Sequence, residues 1–250
     1  MWRTWSRPAA GDGCAGTCDH GGVGDDIGTS VWWAAPVMPD AAPGLVSLLD
    51  PHERARLDRF RMAADRARYL AAHALTRLVL ADAVGRSAAE LEFDRTCQCG
   101  QQHGKPVLLG GPEFSLTHAG DLVGVAVHPR GPVGLDVEEV RDLADLASMA
   151  AHVCSPGESV LDVSSFFAVW TRKEALLKAT GAGLSSPMAA ITLGPSGVRE
   201  WTGDGAPSEP VWLRDLRPAD GYLAALAGLG AEPSHVREAD GNDVLHAEVA

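Results

Sequence analysis

The segment GPVGLDVEEV, residues 131–140, opens on a glycine and a proline and then settles into alternation. Successive side chains of a strand face opposite ways, so Asp136 and Glu138 share one face while Leu135 and Val137 turn to a core. Two carboxylates roughly 7 Å apart along a strand repel each other unless a cation lies between them or water screens them. A solvated edge strand satisfies the pattern, and so does a cation site. Hard oxygen donors of this kind suit Mg²⁺, which keeps several waters and is completed by phosphate oxygens.

Outward from this strand, the chain shows the same grammar on both sides. Upstream, TSVWWAAPV (29–37) reads as a strand. A helical pattern then runs from Asp50 to Gly85, with Pro51 in a first turn, Leu70, Ala74 and Leu78 on one face, and Gly85 as the stop. AELEF, PVLLG and FSLTHAGDLVGVAVHP follow as short strands between glycine turns. Downstream, residues 142–153 and 164–180 are helical, and AAITLG, REWTG, PVWLRDL and YLAALAGL are strands. Helices followed by strands, twice over, predict an α+β fold of two similar lobes, 30–131 and 132–230, joined near residue 131. Residues 1–29, rich in Gly, Asp and Cys, and the polar, acidic stretch 231–250 are expected to be tails.

With 250 residues, 46% of them hydrophobic, the chain can bury a substantial core. No long apolar run marks a membrane span or signal core, which predicts a soluble, cytoplasmic protein. A formal charge of −12 disfavours non-specific nucleic-acid binding, so any anionic ligand needs a local cationic patch. Arg54, Arg56, Arg59, Arg61, Arg66, Arg68 and Arg77 offer one. Of 21 basic residues only Lys105, Lys173 and Lys178 are lysines, and a compact ammonium is not equivalent to a planar guanidinium.

Two of those lysines lie in FFAVWTRKEALLKATGAGL, residues 166–184. Glu174 and Lys178, one turn apart, form a favourable surface pair worth only ~0.3–0.5 kcal/mol. They also share a helical stripe with Phe167 and Trp170, and a third carboxylate from a helix would complete a facial metal site with Asp136 and Glu138. An adjacent ammonium would neutralise phosphate oxygens. In HGKPVL, Pro106 stiffens a turn that presents Lys105; in SLTHAG, Thr117 and His118 place a hydroxyl and an imidazole at a strand end. A lone histidine is more often structural than catalytic.

GKP, SLTHAG, PVGLDVEEV and FFAVWTRKEALLKATGAGL, in this order, resemble the 4'-phosphopantetheinyl transferases, in particular the larger two-lobed type. The resemblance spans roughly residues 30 to 228, and W-x-x-K-E-x-x-x-K after G-x-D-x-E carries its specificity. It implies two pseudo-symmetric α+β lobes with coenzyme A between them. It implies Mg²⁺ on Asp136, Glu138 and Glu174, with Lys178 on the pyrophosphate and the departing 3',5'-ADP. Lys105 and Pro106 would line the adenine side, Thr117 and His118 would hold phosphate oxygens, and Arg56, Arg61 or Arg68 would grip the 3'-phosphate. Glu174, Lys178 and His118 form the implied catalytic set, with Glu174, or a metal-bound water it orders, as base. Glu158, in SPGE, falls where relatives carry a further acid that could order water or metal. Relatives read S-H-S-G where this chain has Thr117-His118-Ala119-Gly120, so one hydroxyl is missing.

The implied reaction is Mg²⁺-dependent transfer of 4'-phosphopantetheine from coenzyme A to a serine of an apo acyl or peptidyl carrier protein, of fatty-acid, polyketide or peptide synthases, by a monomeric enzyme. A carrier would dock on a local apolar, arginine-lined patch, because both proteins are acidic. Other readings stay open: a Mg²⁺-dependent phosphohydrolase, a non-catalytic coenzyme A binding protein, and a zinc site on Cys14, Cys18 and His20 with Cys97, Cys99 and His103. The spacings C-x-x-x-C and C-x-C depart from the usual zinc knuckle.

Overall fold

The computed structural model describes residues 28–97, 100–181, 183, 186–203 and 205–249. The expected N-terminal tail therefore lies outside the described residues, apart from Gly28 and Thr29, which begin the first strand. Of the zinc candidates, only the Cys97 side chain is described.

Each half of the chain runs through the same sequence of elements. The first has β1 (Gly28–Ala34), three helices α1 (Pro43–Leu48), α2 (Pro51–Leu57) and α3 (Ala63–Val84), a hairpin of β2 (Phe93–Thr96) and β3 (Gln102–Leu108), and the pair β4 (Glu113–Ala119) and β5 (Leu122–His128). The second has β6 (Val133–Glu139), helices α4 (Leu146–Val153) and α5 (Val163–Thr180), a hairpin of β7 (Ile191–Gly194) and β8 (Gly197–Trp201), and the pair β9 (Val211–Leu216) and β10 (Tyr222–Leu229). In one sheet β5 lies between β1 and β4, and in the other β10 lies between β6 and β9, all antiparallel. The two lobes thus share one topology, as the pattern of helices and strands predicts.

Strand alternation stacks these elements in four layers. Val123, Val125 and Val127 of β5 face α3, and Ala225 and Ala227 of β10 face α5. Between the sheets, Val31, Trp33 and Ala126 of the first meet Val133, Leu135, Val137 and Leu226 of the second. The core therefore runs unbroken from one lobe into the other.

Three parts of the expectation change. The stretch 231–250 is not a tail: β11 (His235–Asp240) pairs parallel with β1, and α6 (Gly241–Val249) packs Leu245 into the core of the first lobe. Trp33 Nε1 donates to Glu238 Oε2 at 2.8 Å, and Ala35 N–H, just past β1, to Asn242 Oδ1 at 2.9 Å, so polar groups at this end of β1 depend on the segment. AELEF is a short 3₁₀ turn followed by β2 rather than one strand. The long helical pattern is two helices, α2 and α3; neither Pro nor Gly marks the break, but Phe60 folds back onto Tyr69 with ring centroids 5.2 Å apart. Gly85 ends α3 in the left-handed region, at φ 66°, where glycine carries no Cβ penalty.

Arg77 does not belong to a surface cationic patch. It is fully buried, and four of its five donors are spent on Glu53 Oε2 (2.7 Å), Asp50 Oδ2 (2.8 Å) and the carbonyls of Ala88 and Leu91 (3.0 Å each). Arg95 bridges the same two carboxylates, and His73 Nδ1 lies 3.1 Å from Glu53 Oε1. Burial alone would raise the Glu53 carboxyl, but His73 and Arg77 overcome it and pull its pKa down to about 2. A depressed acid pKa stabilises the fold above its ordinary value of 4.5, and that stability drains away as pH falls toward 2. Glu53→Gln is expected to cost roughly 3 kcal/mol in urea unfolding at neutral pH, by leaving Arg77 and Arg95 to share the single carboxylate of Asp50. The same variant should lose less stability than the wild type between pH 5 and pH 2.

Candidate active site

The edge of β6 away from β10 faces β4, and no backbone ladder joins these two strands. Side chains do the joining instead. Ser115 Oγ accepts from Leu135 N–H at 3.0 Å and Thr117 Oγ1 from Val137 N–H at 3.1 Å. Lys105 Nζ donates to Val133 O and Lys178 Nζ to Leu135 O, both at 3.0 Å. A buried backbone edge must be satisfied somehow; here four side chains from three elements do it and leave the two sheets free to diverge.

Helix α5 is brought onto this edge by Gly134. A Cβ at that position would lie 1.9 Å from Ala175 O and 2.5 Å from Ala179 N, so the helix backbone rests directly on the strand. Asp162 caps the start of α5, accepting from Ser165 N–H at 2.7 Å, and Gly181 ends it at φ 69°. Glu174 and Lys178, flanking the point of closest approach, are held over Asp136.

Asp136 is buried beneath the helix, not on a solvated strand face. Its Oδ1 accepts from Lys178 Nζ at 2.7 Å and from Thr117 Oγ1 at 3.4 Å, while Oδ2 is buried with no partner. Burial raises its pKa, and the Lys178 and Thr117 contacts offset part of that rise. Burial, then the Asp136 charge, raises Glu138 as well, although Arg141 Nη1 lies 3.3 Å from its Oε2. Glu174 is raised by the same two causes in the same order. The three acids therefore feel one another through Asp136. Among the described residues no group of three or more His, Cys, Asp or Glu side chains closes into a ready-made metal cage.

The other candidates divide between the cleft and the scaffold. His118 is exposed on β4, and crowding by protein followed by the charges of Lys178 and Arg68 lowers its pKa, which favours neutral imidazole. Arg68 Nη1 donates to Gly120 O at 2.9 Å, tying α3 to the turn after His118. Gly120 has φ 51°, and a Cβ there would lie 2.4 Å from Tyr222 Oη, which accepts from Asp121 N–H at 2.8 Å. The turn is thus gripped from both lobes. Arg56 and Arg61 are exposed, at the end of α2 and just before α3, and of the three arginines only Arg68 is tied to the His118 turn. Lys105 also meets Glu113 at 3.4 Å, and burial lowers its pKa; Pro106 follows it, half-buried, on β3.

Two expected ligands have other work in this structure. The Thr117 hydroxyl donates to Asp136 and accepts from Val137 N–H and Lys178 Nζ, so all its hydrogen-bonding capacity goes to protein partners in this structure. Glu158 accepts from Lys173 Nζ, Ser155 N–H and Leu193 N–H, a set of protein partners that ties it to the scaffold. Burial would raise its pKa, but those three donors hold it below the usual value. Ser115, Gly134, Arg141 and Tyr222 escaped the sequence reading; for Ser115 the signal was available in the S-x-T alternation of SLTHAG.

Two family profiles divide the chain where the lobes do. The profile described as 4'-phosphopantetheinyl transferase, N-terminal, matches residues 35–130, and that of the 4'-phosphopantetheinyl transferase superfamily matches residues 132–226. The 4'-phosphopantetheinyl transferase HetI of Nostoc sp. is 32% identical over 220 residues, covering 80% of this chain and 89% of that relative. The chain belongs to the 4'-phosphopantetheinyl transferases. A phosphopantetheinyl transferase of Thraustochytrium sp. is 30% identical over 205 residues, 72% of this chain and 69% of its own, and one of Bacillus subtilis is 25% identical over 223 residues, 85% and 86%. The matched N-terminal region makes this transferase one of the larger, two-lobed type. No described helix is long and apolar enough to cross a membrane.

In this transferase the contact at Gly134 is backbone against backbone and cannot yield by a side-chain rotation. Gly134→Ala is expected to cost roughly 3 kcal/mol or more in urea unfolding, beyond the usual range for overpacking. Thr117→Val should cost about 1–3 kcal/mol by orphaning the Val137 N–H, with little change in secondary structure by circular dichroism.

Proposed function

We propose that the enzyme transfers 4'-phosphopantetheine from coenzyme A to a serine of an apo acyl or peptidyl carrier protein and releases 3',5'-ADP, with Mg²⁺ held by Asp136, Glu138 and Glu174. The observation that carries this reading is the buried, unpartnered Oδ2 of Asp136, flanked by two carboxyls whose pKa values are raised. A buried acceptor without a donor is costly, and a hard cation relieves it. The donor set fits Mg²⁺ in type, because all three groups are carboxylate oxygens. When bound, the ion neutralises charge on the diphosphate oxygens.

The chain's own residues supply the remainder. The carrier serine is a weak nucleophile at neutral pH and needs a base. Glu174, or a water that it orders, accepts the proton. As the serine Oγ–P bond forms at the β-phosphorus of coenzyme A, the P–O bond to 3',5'-ADP breaks and its electron pair leaves with the nucleotide. Lys178 balances that developing charge, His118 presents its imidazole to the phosphate oxygens, and Lys105 and Pro106 line the adenine side. Arg68, tied to the His118 turn, is the arginine of the three best placed for the 3'-phosphate.

The same reading takes residues 30–131 and 132–230 as the two lobes, a monomer as the working unit, the cytoplasm as its location, and synthases of fatty acids, polyketides or nonribosomal peptides as the source of the carrier. Apo carriers of each class are to be incubated with enzyme, coenzyme A and Mg²⁺ and weighed intact. Mass gain by one phosphopantetheine is expected for at least one class, and Glu174→Gln should slow it by about 10²–10⁴-fold. Near-normal turnover of that variant removes Glu174 from the mechanism, and hydrolysis of phosphate esters without carrier modification favours the phosphohydrolase.

A further inference from the structure

Lys178 is fully engaged where it stands. An ammonium has three donors, and these go to Asp136 Oδ1 at 2.7 Å, Leu135 O at 3.0 Å and Thr117 Oγ1 at 3.3 Å. None remains for a phosphate oxygen, although the reading above asks Lys178 to hold one. The ammonium also lies against the carboxylate that the same reading gives to the metal. Both demands are met if the side chain has two positions.

We propose that Lys178 is the resting counter-ion of the site: in the metal-free enzyme its ammonium neutralises Asp136, and it gives up that carboxylate when a divalent cation arrives, which frees its donors for the diphosphate. The inference rests on the assignment of Asp136, Glu138 and Glu174 to Mg²⁺. Two positive charges, Lys178 and the more exposed Arg141, face three carboxyls and leave the cluster short of cation, in keeping with an Asp136 Oδ2 that has no partner at all. The exit is open, since the Lys178 side chain keeps 30% of its exposure while Asp136 keeps 8%. It lies in the last turn of α5, one turn beyond Glu174, so a swing of the flexible stem moves the charge toward the cleft without moving the helix.

The choice of residue agrees. This chain uses arginine for all but three of its 21 basic positions. A planar guanidinium suits a fixed fork, as Arg77 shows, whereas a compact ammonium can touch three converging oxygens and then leave. Lys173, five residues earlier, is the contrasting case: it is wholly buried against Glu158 and Val153 O, with no solvent-facing route.

Three lysines make the test direct. Wild-type enzyme labelled with ¹³C and ¹⁵N at lysine gives three side-chain signals, assigned with Lys→Arg variants, and is titrated with MgCl₂ at fixed ionic strength. The Lys178 signal is expected to move saturably while Lys173 stays in place. Calorimetry with MgCl₂ should show about tenfold tighter binding to Lys178→Met, equal to about 1.4 kcal/mol, and Asp136→Asn should abolish the heat. If Mg²⁺ binds the wild type while the Lys178 signal stays put, the counter-ion role is overturned and the metal site stands. If neither wild type nor Lys178→Met binds Mg²⁺, both are overturned.

Discussion

The polar edge of β6 is the constraint around which this molecule is arranged. In an ordinary sheet its outward N–H and C=O groups would meet another strand, and the two lobes would merge into one sheet. Here Ser115, Thr117, Lys105 and Lys178 meet them instead. Two sheets can then lie face to face on a shared apolar core while still diverging at this edge. The groups that satisfy the backbone are short hydroxyls and long ammoniums, so the seam is polar, cationic and buried. A buried acid such as Asp136 is tolerable only in such a place.

Electrostatics and packing are coupled at that seam. Gly134 lets α5 approach until its backbone touches the strand, and this sets how close Glu174 and Lys178 come to Asp136. Burial raises all three carboxyls because the same close packing excludes water. A looser helix would relieve the repulsion but lose the tension that a cation relieves. The Lys173–Glu158 pair, one residue from Glu174, anchors the helix from its other side to Leu193 of β7.

Local pattern was legible in the sequence, and long-range pairing was not. The alternation of GLDVEEV places Leu135 and Val137 in the inter-sheet core as read, because a period of two is a property of the strand itself. The limits of α5 follow from its cap and its glycine. The Asp136, Glu138 and Glu174 set could be assembled on paper because the spacing of motifs carried it. What could not be read is which partner each polar side chain finds: Thr117 bonds the backbone of the seam, Arg77 looks like surface charge and is buried, and Glu158 pairs with a buried lysine. Each of those roles depends on a residue tens of positions away. The same blindness hid β11, whose charged residues read as solvent-loving until one sees that they lie at a sheet edge, beside β1.

That edge has a consequence for how the protein comes to be. The lobe begun by β1 is closed by β11 and α6, so a strand synthesised early waits on segments synthesised about two hundred residues later. The second lobe, made of contiguous residues, can settle while the first still lacks a strand and a helix. A nascent chain of this enzyme therefore passes through a stage in which β1 has an unpaired edge and Trp33 lacks its Glu238 partner, a sticky interval that ends only when β11 and α6 have left the ribosome.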